Sequence, residues 1–385
     1  MSESNKMGRS GYFRYMSAGY RAFYPVSLPP TPSIVIEGDL QQLLSEADRA
    51  IGALNIICSV LPNPDLLVGM FIYKEALLSS QIEGTQSSLV DVLGIEKDSV
   101  PTSDVGEVLN YVAAMRHGMQ RIQNGELPLC GRLLKELHFK LMADVRGGSP
   151  NLTPGEFRTM QNWVGGNSPA NARFVPPPAN ELGSMFGELE KYFHVEDHTP
   201  PLVQCALIHY QFETLHPFND GNGRLGRLLI SLFLLNRGLL NQPVLYLSAY
   251  LKMHQQEYYD RLQQVRTDGS YEKWLSFFLE GIVIVSRMVI STTSRIQVLE
   301  RKHINEVVAA GAGIRGVDFI RVLLQQPVIR IKDIVRLLNV SYTKANNLKT
   351  LAEDLGILKQ ISQGKRNRKY SYHEYIEILD EGTDI

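Results

Sequence analysis

The amino-acid sequence predicts a mainly α-helical protein with small β elements. Apolar residues recur at helical spacing over most of its 385 residues, and this periodicity is the primary signal for helices. The clearest stretches are 38–62, 66–83, 104–122 and most of 128–290. A chain of this length is long enough for two or three domains. We expect an N-terminal helical region (1–127), a helical core domain (128–310) and a small C-terminal domain (315–385).

The segments around these helices carry weaker signals. Residues 1–35 contain aromatic residues and prolines, and we expect them to wrap the body of the protein as an extended arm. Another long helix is predicted from 272 into the 300s. The sequence AAGAG at 309–313 then interrupts the helical pattern, and because glycine disfavours helix, this run marks a domain boundary.

The C-terminal domain has the pattern of two or three helices followed by a hairpin. The predicted helices and strands, in chain order, are Val317–Leu324, Ile331–Leu338, Tyr342–Leu355, Ile357–Ile361 and Lys369–Tyr372. A tight turn at 339–341 joins the second helix to the third. Helix, turn, helix and hairpin in this order resemble a winged helix, a module that binds DNA or other proteins.

Charge in this domain favours a protein partner over DNA. The hairpin carries four basic residues that could contact phosphates: Lys365, Arg366, Arg368 and Lys369. The helix in the recognition position, however, holds Glu353 and Asp354 beside Lys344 and Lys349. That helix is therefore not strongly basic, and DNA binding is the less favoured interpretation.

Composition limits the classes of protein that remain. Lys and Arg total 39 against 40 Asp and Glu, a net charge of −1, which gives no overall signature of polyanion binding. The three cysteines are widely spaced without a C-x-x-C pair, which excludes a disulfide framework or zinc ribbon. The first residues lack the apolar segment of a signal peptide, and the longest apolar run, Leu228–Leu235, is too short to cross a bilayer. We expect a soluble, cytoplasmic protein.

The densest chemistry lies in the twelve residues 216–227, HPFNDGNGRLGR. Apolar residues at helical spacing precede and follow the segment, so its glycines fall at a helix N-terminus. The free N–H groups and the dipole of such a terminus bind anions. Arg224 and Arg227 are three residues apart on the first turn, and their guanidinium groups can hold phosphate oxygens. Asp220 is a natural Mg²⁺ ligand, and His216 can accept a proton near neutral pH. The set fits phosphoryl or nucleotidyl transfer.

Other interpretations of this segment are less favoured. Residues 221–226 also satisfy the loose G-x-G-x-x-G pattern of dinucleotide folds, but that pattern needs a preceding strand, and 202–215 has helical spacing. No G-x-x-x-x-G-K-[ST] loop occurs in the chain, so a Walker-type ATPase is excluded. A structural turn between two helices remains an alternative.

The same string matches the signature of the Fic (Fic/Doc) family, H-x-F-x-[DE]-G-N-G-R-x-x-R, at every defined position. The chain thus resembles proteins with a helical core and a short β-hairpin flap, most of which transfer AMP from ATP to a protein hydroxyl. The resemblance implies that His216 deprotonates the Tyr, Thr or Ser hydroxyl of the target and that Asp220 holds Mg²⁺. It places ATP phosphates on a set of seven residues: Gly221, Asn222, Gly223, Arg224, Leu225, Gly226 and Arg227. Family precedent also suggests self-modification and homodimers.

A second motif resembles the inhibitory pattern [ST]-x-x-x-E-[GN] that some Fic proteins carry ahead of the core. Residues 79–84 read SSQIEG, and Ser79 and Glu83 share one helix face because they are four apart. A carboxylate that pairs with Arg227 would occupy its donors, so that the γ-phosphate is not clamped and the α-phosphorus is misaligned for attack. We therefore expect autoinhibition by Glu83.

Two further sets are assigned by resemblance alone. Residues 172–175 precede three prolines and follow the turn residues Gly165 and Gly166, which suits a flap hairpin over the active site. Its candidate members are Arg173, Phe174, Val175 and Pro176. The pair Tyr258 and Tyr259 resembles a tyrosine pair that lines the adenine pocket of the family.

Three hypotheses about function remain open from the sequence. The first is an ATP-dependent protein adenylyltransferase inhibited by Glu83. The second comprises two variants within the enzyme class: de-AMPylation, in which Glu83 positions a water, and transfer from another phosphate-containing donor. The third is a DNA-binding regulator whose core senses a nucleotide without catalysis, which the intact His216, Asp220, Arg224 and Arg227 argue against. The target protein cannot be read from the sequence.

Overall fold

The computed structural model describes residues 8–59, 64–94, 102–143, 153–362 and 368–383, and within them the chain is mainly helical, as the sequence predicts. The helices are α1 (Gly38–Ser59), α2 (Pro64–Ile82), α3 (Leu89–Leu93), α4 (Ser103–Gln123), α5 (Gly131–Leu141), α6 (Ala179–Phe193), α7 (Pro201–Leu215), α8 (Asn222–Asn236), α9 (Ser248–Met253), α10 (Gln255–Asp268), α11 (Tyr271–Ala309), α12 (Gly313–Gln325), α13 (Ile331–Leu338), α14 (Tyr342–Asp354) and α15 (His373–Asp380). The strands are β1 (Gly11–Tyr15), β2 (Arg21–Pro25), β3 (Val328–Ile329), β4 (Lys359–Gln360) and β5 (Tyr370–Ser371).

The centre of the fold is the antiparallel pair α7 and α8. Every residue of α7 from Leu202 to Leu215 is buried, and nearly all of α8 is buried too. A helix that is apolar all round must be enclosed by other elements. Here α4 and α5 pack against α8, α6 packs against α7, and α2 lies beside α4, α8 and α9. The loop between α7 and α8 is therefore held by two fixed helices.

The longest helix, α11, spans 39 residues, and its start and length agree with the helix predicted from 272. It is long and apolar enough by length and composition to cross a membrane, but 61% of its most apolar window is buried inside the fold. Its buried residues face α1, α7, α9 and α10. Most of its apolar surface is thus buried against other helices, as in the core helix of a soluble fold.

The N-terminal segment forms a hairpin, where an extended arm was expected. Strands β1 and β2 pair antiparallel, with Phe13 opposite Phe23, and the Tyr12 and Tyr24 rings stack at 5.3 Å. Gly19, with φ of 84°, turns the chain between them. Cross-strand aromatic pairs stabilise a sheet, and short-range periodicity alone did not reveal this pairing.

The C-terminal domain begins after the predicted break, since α11 ends at Ala309 and α12 starts at Gly313. Strands β3, β5 and β4 form one antiparallel sheet in that order, and Asn339, in the left-handed region with φ of 49°, turns the chain between α13 and α14. The order of elements is the one expected for a winged helix. Lys365 and Arg366 lie outside the described residues. A final helix, α15, was not predicted, and it packs against α2, α3 and α11.

Candidate active site

The loop between α7 and α8 takes a compact, strained path. His216 ends α7 with φ of 47° and ψ of 61°, a left-handed conformation that is unusual for a residue with a Cβ. Gly221, with φ of 73°, caps the start of α8. The Asn222 side chain closes the loop, because its Oδ1 accepts from the Phe218 N–H and its Nδ2 donates to the Phe218 carbonyl, both at 2.8 Å. Strain of this kind persists where the surroundings hold it, often at functional sites.

His216 is held as a neutral base. Its carbonyl accepts hydrogen bonds from Arg158 Nε at 2.9 Å and Asn162 Nδ2 at 3.2 Å. Burial lowers the pKa of the imidazole to about 4, and the charges of Arg158 and Arg266 act in the same direction. The Nδ1 atom has no hydrogen-bond partner among the described residues. At neutral pH this ring is uncharged and able to accept a proton.

His216 lines a cavity of about 280 Å³ together with several other residues that the sequence predicts to belong to the site. The cavity lies between the N-terminus of α8, the end of α2, the segment 164–174 and α10. Its lining residues are Glu83, Val164, Gly165, Arg173, Phe174, Glu213, His216, Gly223, Arg227, Tyr258, Tyr259, Leu262, Gln263 and Arg266. A concave site with aromatic walls and a few convergent polar groups suits a small ligand.

Arg227 is buried and forms an ion pair with Glu83 of the 79–84 motif. Its Nε donates to Ser79 Oγ and its Nη2 to the Ser79 carbonyl, both at 2.8 Å, and Nη2 also donates to Glu83 Oε1 at 2.6 Å. Burial acts to raise the pKa of Glu83, but the charge and hydrogen bond of Arg227 outweigh it and lower that pKa. The structure therefore brings together Ser79, Glu83 and Arg227, as the sequence predicts.

Gly223 is what permits this approach of Glu83 to α8. A Cβ at position 223 would collide with Glu83 Oε1 and lie 3.0 Å from Nη1 of Arg227. The Glu83 carboxylate thus rests directly over the first turn of α8, where free N–H groups favour an anion. It occupies the region in which phosphate oxygens are expected to bind.

Arg224 and Asp220 lie on the other side of the same helix start. Arg224 is buried, and its Nη1 pairs with Glu107 Oε2 of α4 at 2.6 Å. Asp220 is 38% exposed, its Oδ1 accepts from the Gly221 N–H at 2.6 Å, and its carbonyl is 2.9 Å from His138 Nε2. Neither residue lines the cavity. Glu107 was not predicted, because a partner 117 positions away from Arg224 leaves no local pattern in the sequence.

Mg²⁺ needs few protein ligands in such a site. The described part of the chain contains no group of three or more His, Cys, Asp or Glu that could hold a metal by itself. Mg²⁺ commonly binds one or two carboxylates together with substrate phosphates and water. Asp220, with a partly exposed carboxylate beside the helix N-terminus, fits that pattern of one protein ligand.

Three residues expected to bind phosphate have groups that are engaged inside the fold. The Asn222 side chain is used in closing the loop, so only its backbone can face a ligand. Leu225 is fully buried in the hydrophobic core, since it lies on the face of α8 opposite the cavity. The Gly226 carbonyl is 3.0 Å from His209 Nδ1, inside the fold. That these three residues bind phosphate stays a prediction.

The flap segment is more restricted than a free hairpin. Its pairing consists of one bridge, with two backbone hydrogen bonds between Val164 and Phe174. Arg173 forms an ion pair with Asp260. The carbonyls of the next two residues, Val175 and Pro176, accept from the Phe23 N–H at 2.9 Å and Gln161 Nε2 at 3.0 Å. The N-terminal hairpin thus already pairs with this segment.

The tyrosine pair lines the cavity as expected. Tyr258 is almost fully buried, and its hydroxyl is 2.8 Å from His209 Nε2. Tyr259 is only partly buried and lies under the Arg173 guanidinium, 5.8 Å from the ring centroid. The two rings present an aromatic wall of the kind that packs against a planar base.

Two family profiles match parts of this chain. The Fic/DOC family N-terminal profile matches residues 41–120, and the Fic/DOC family profile matches residues 128–234. The chain belongs to the Fic/DOC family. The second match ends within α8 and contains the whole 216–227 loop. The first contains α2 with Ser79 and Glu83, and also Glu107.

Curated relatives carry one name. Proteins named Protein adenylyltransferase Fic from Culex quinquefasciatus and Aedes aegypti are 29% and 28% identical to this chain over 206 residues. Those residues are 52% of this chain and 38% of each relative. The chain therefore spans well under half the length of the curated relatives that it matches.

Solved structures confirm the helical Fic fold. A Fic family protein from Desulfovibrio desulfuricans matches with a TM-score of 0.55 at 19% identity, covering 88% of this chain and 97% of that one. A Fic domain containing signaling protein from Bacteroides thetaiotaomicron matches with a TM-score of 0.51 at 19% identity, covering 66% and 97%. At this identity the likeness concerns the fold alone.

Proposed function

We propose that this protein transfers AMP from ATP to a Tyr, Thr or Ser hydroxyl of a target protein. The observation that carries the proposal is the shared cavity, in which the neutral base His216 faces the N-terminus of α8 and Arg227. The name of the curated relatives, Protein adenylyltransferase Fic, supports the same activity.

The chemistry follows from the positions of these groups. The target hydroxyl gives its proton to His216 while its oxygen attacks the α-phosphorus of ATP. The bond from that phosphorus to the bridging oxygen breaks, and pyrophosphate leaves. Free N–H groups at the start of α8 and Arg227 neutralise the charge of the phosphates. Mg²⁺ held by Asp220 supplies further neutralisation of the phosphate charge when bound.

The ion pair between Glu83 and Arg227 makes the described conformation an inhibited one in this proposal. Glu83 lies over Gly223 and occupies donors of Arg227 that the γ-phosphate would need. The pair is buried on the arginine side, where solvent screens it little. Transfer therefore requires Glu83 to leave, and loss of its carboxylate releases the site.

The test is transfer of label from α-labelled ATP to protein. We expect Glu83→Gly to label itself or added protein at least tenfold faster than wild type, because the arginine is freed. His216→Ala in the Glu83→Gly background removes the base and abolishes labelling. Since the arginine and the helix terminus remain, that double variant still binds ATP, which equilibrium binding checks. Absence of label from Glu83→Gly protein that binds ATP rejects the transferase.

De-AMPylation is the alternative with the opposite dependence on Glu83. It is suggested by the position of the Glu83 carboxylate in the same cavity as His216, where it could orient a water. In that case Glu83→Gly loses activity on an AMPylated protein, whereas the transferase gains activity. The sign of the effect separates the two enzymes.

DNA binding has less support than the nucleotide site. Lys349 Nζ is bonded to Glu353 at 2.6 Å, and Lys369 Nζ donates to the Gly94 carbonyl at 2.9 Å. Both amines are thus engaged within the protein. We propose that the C-terminal domain serves protein contacts, within this chain or with a partner. The three cysteines are free, which suits the reducing cytoplasm proposed as its location.

A further inference from the structure

Glu213 is a buried carboxylate in the cavity for which the proposed chemistry has no use. It lies in the last turn of α7, three residues before His216, and its side chain is 7% exposed. It lines the cavity with His216, Arg227 and Tyr258, yet its Oε1 has no hydrogen-bond partner among the described residues. A buried acceptor without a donor is unfavourable, so this arrangement suits a ligand that donates a hydrogen bond to it.

The position of this carboxylate is built into the helix packing. A Cβ at position 226 would collide with Glu213 Oε1 and lie 3.1 Å from Cδ1 of Phe212. Only glycine at 226 leaves space for the carboxylate against the backbone of α8. The resemblance predicts that Gly226 binds phosphate. In the structure, its lack of a side chain leaves space for the Glu213 carboxylate.

The neighbouring cations do not satisfy Glu213. Arg227 gives its Nε and Nη2 to Ser79 and Glu83. Arg266 gives its Nε to Thr214 Oγ1 at 3.1 Å and its Nη2 to the Glu213 carbonyl, not the carboxylate. Burial raises the pKa of Glu213 to about 7, and the charges of Arg227 and Arg266 act against that rise. The carboxylate remains an acceptor with no donor.

ATP offers few donors that could complete this contact. Its phosphates accept only, so a carboxylate can meet just the ribose hydroxyls or the amino group of adenine. Glu213 lines the cavity together with His216 and Arg227, where phosphates are proposed to bind, and with Tyr258 of the aromatic wall. The ribose is the part of the nucleotide that joins those two sides. We infer that Glu213 accepts a hydrogen bond from a ribose hydroxyl of the bound nucleotide.

This inference rests on the proposed function only in taking ATP as the ligand, and it makes Glu213 a specificity residue for the sugar. The test is equilibrium binding in the Glu83→Gly background, which opens the site without requiring transfer. The probes are ATP, 2′-deoxy-ATP, 3′-deoxy-ATP and inosine triphosphate, which lacks the amino group. Hydrogen bonds to charged groups contribute enough for a preference of roughly ten- to a hundredfold.

We expect ATP to bind at least tenfold more tightly than one of the deoxynucleotides, and Glu213→Ala to reduce that preference to about twofold or less. Glu213→Gln, which keeps an acceptor, retains an intermediate preference. Glu257→Ala, on an exposed carboxylate of α10 paired with Arg261, is the matched control and leaves the preference unchanged. A merely structural effect of Glu213→Ala would weaken all four nucleotides equally.

Three outcomes overturn the inference. The first is an unchanged ratio of ATP to deoxynucleotide affinity in Glu213→Ala. The second is a loss of discrimination against inosine triphosphate alone, which assigns Glu213 to the base. The third is no nucleotide binding by the Glu83→Gly protein, which rejects the proposed function as well. Sugar discrimination that depends on Glu213 without any transfer of label supports the inference and rejects the transferase.

Discussion

His216 combines an unfavourable backbone conformation with an unfavourable site for a positive charge. Its φ of 47° is maintained because Arg158 and Asn162 hold its carbonyl. The same burial that fixes the ring lowers its pKa. One residue thus meets two requirements of a general base, a fixed direction and an uncharged state at neutral pH.

The pKa of His216 gives a prediction about pH. An imidazole with an ordinary pKa would be half-protonated at about pH 6.5, but burial lowers the pKa of His216 to about 4. The base is then uncharged throughout pH 5.5 to 8, and kcat of the Glu83→Gly enzyme at saturating ATP should stay level over that range. Initial rates of labelling measure this. A fall in kcat centred near pH 6.5 contradicts the lowered pKa.

At the scale of elements, the active site depends on how the segment after α5 is fastened to the α7–α8 loop. Arg158 is buried at the junction. Its Nε donates to the His216 carbonyl at 2.9 Å, and its Nη2 donates to the Pro177 carbonyl at 2.6 Å. One guanidinium therefore positions both the catalytic loop and the end of the flap segment. The planar guanidinium of arginine can donate hydrogen bonds to both carbonyls at once, and the ammonium of lysine cannot reproduce this geometry.

Arg158→Lys should consequently weaken both activity and stability. We expect the free energy of unfolding to fall by about 2–4 kcal/mol, since several buried hydrogen bonds to a charged group are lost. We expect kcat in the Glu83→Gly background to fall by about tenfold or more, because the base moves relative to the nucleotide. Urea unfolding and labelling rates measure the two effects. Arg287→Lys, at an exposed arginine 3.9 Å from Glu46, is the control; an equal loss there would remove the special role of Arg158.

In the folded chain, α15 contacts α2, the helix that carries Ser79 and ends one residue before Glu83. Lys252 of α9 donates to Gln81 Oε1 at 2.9 Å and to the Thr383 carbonyl at 2.7 Å. Lys74 of α2 donates to the Glu381 carbonyl at 2.7 Å. The end of the chain that the structure describes thus contacts Lys74 directly and Gln81 through Lys252. Loss of these contacts should favour the release of Glu83.

Lys252→Ala tests that connection. Removal of the amine costs about 1 kcal/mol for a hydrogen bond, which corresponds to roughly a fivefold rise in labelling by an otherwise wild-type chain. The same substitution in the Glu83→Gly background should have no effect, since the inhibitory carboxylate is already gone. Equal stimulation in both backgrounds would show that Lys252 acts on the site by another route.

Local patterns in the sequence predict most of the helices and several residues of the candidate site. The spacing in HPFNDGNGRLGR and SSQIEG identifies His216, Arg227, Ser79 and Glu83, because residues within one helical turn or loop have local relations that a linear pattern records. The helices at 38–59, 64–82, 103–123 and 271–309 follow from apolar periodicity for the same reason.

Contacts between residues that are distant in the sequence are visible only in the three-dimensional structure. Arg224 pairs with Glu107 of α4, the Glu213 carboxylate packs against Gly226 of α8, and the Val175 carbonyl accepts from Phe23 of β2. Contacts between such distant segments depend on packing that leaves no mark in local spacing. The same packing places Leu225 in the core and engages the Asn222 side chain within the loop. Pairing between distant segments and the orientation of each side chain are fixed by how the whole chain fills its core.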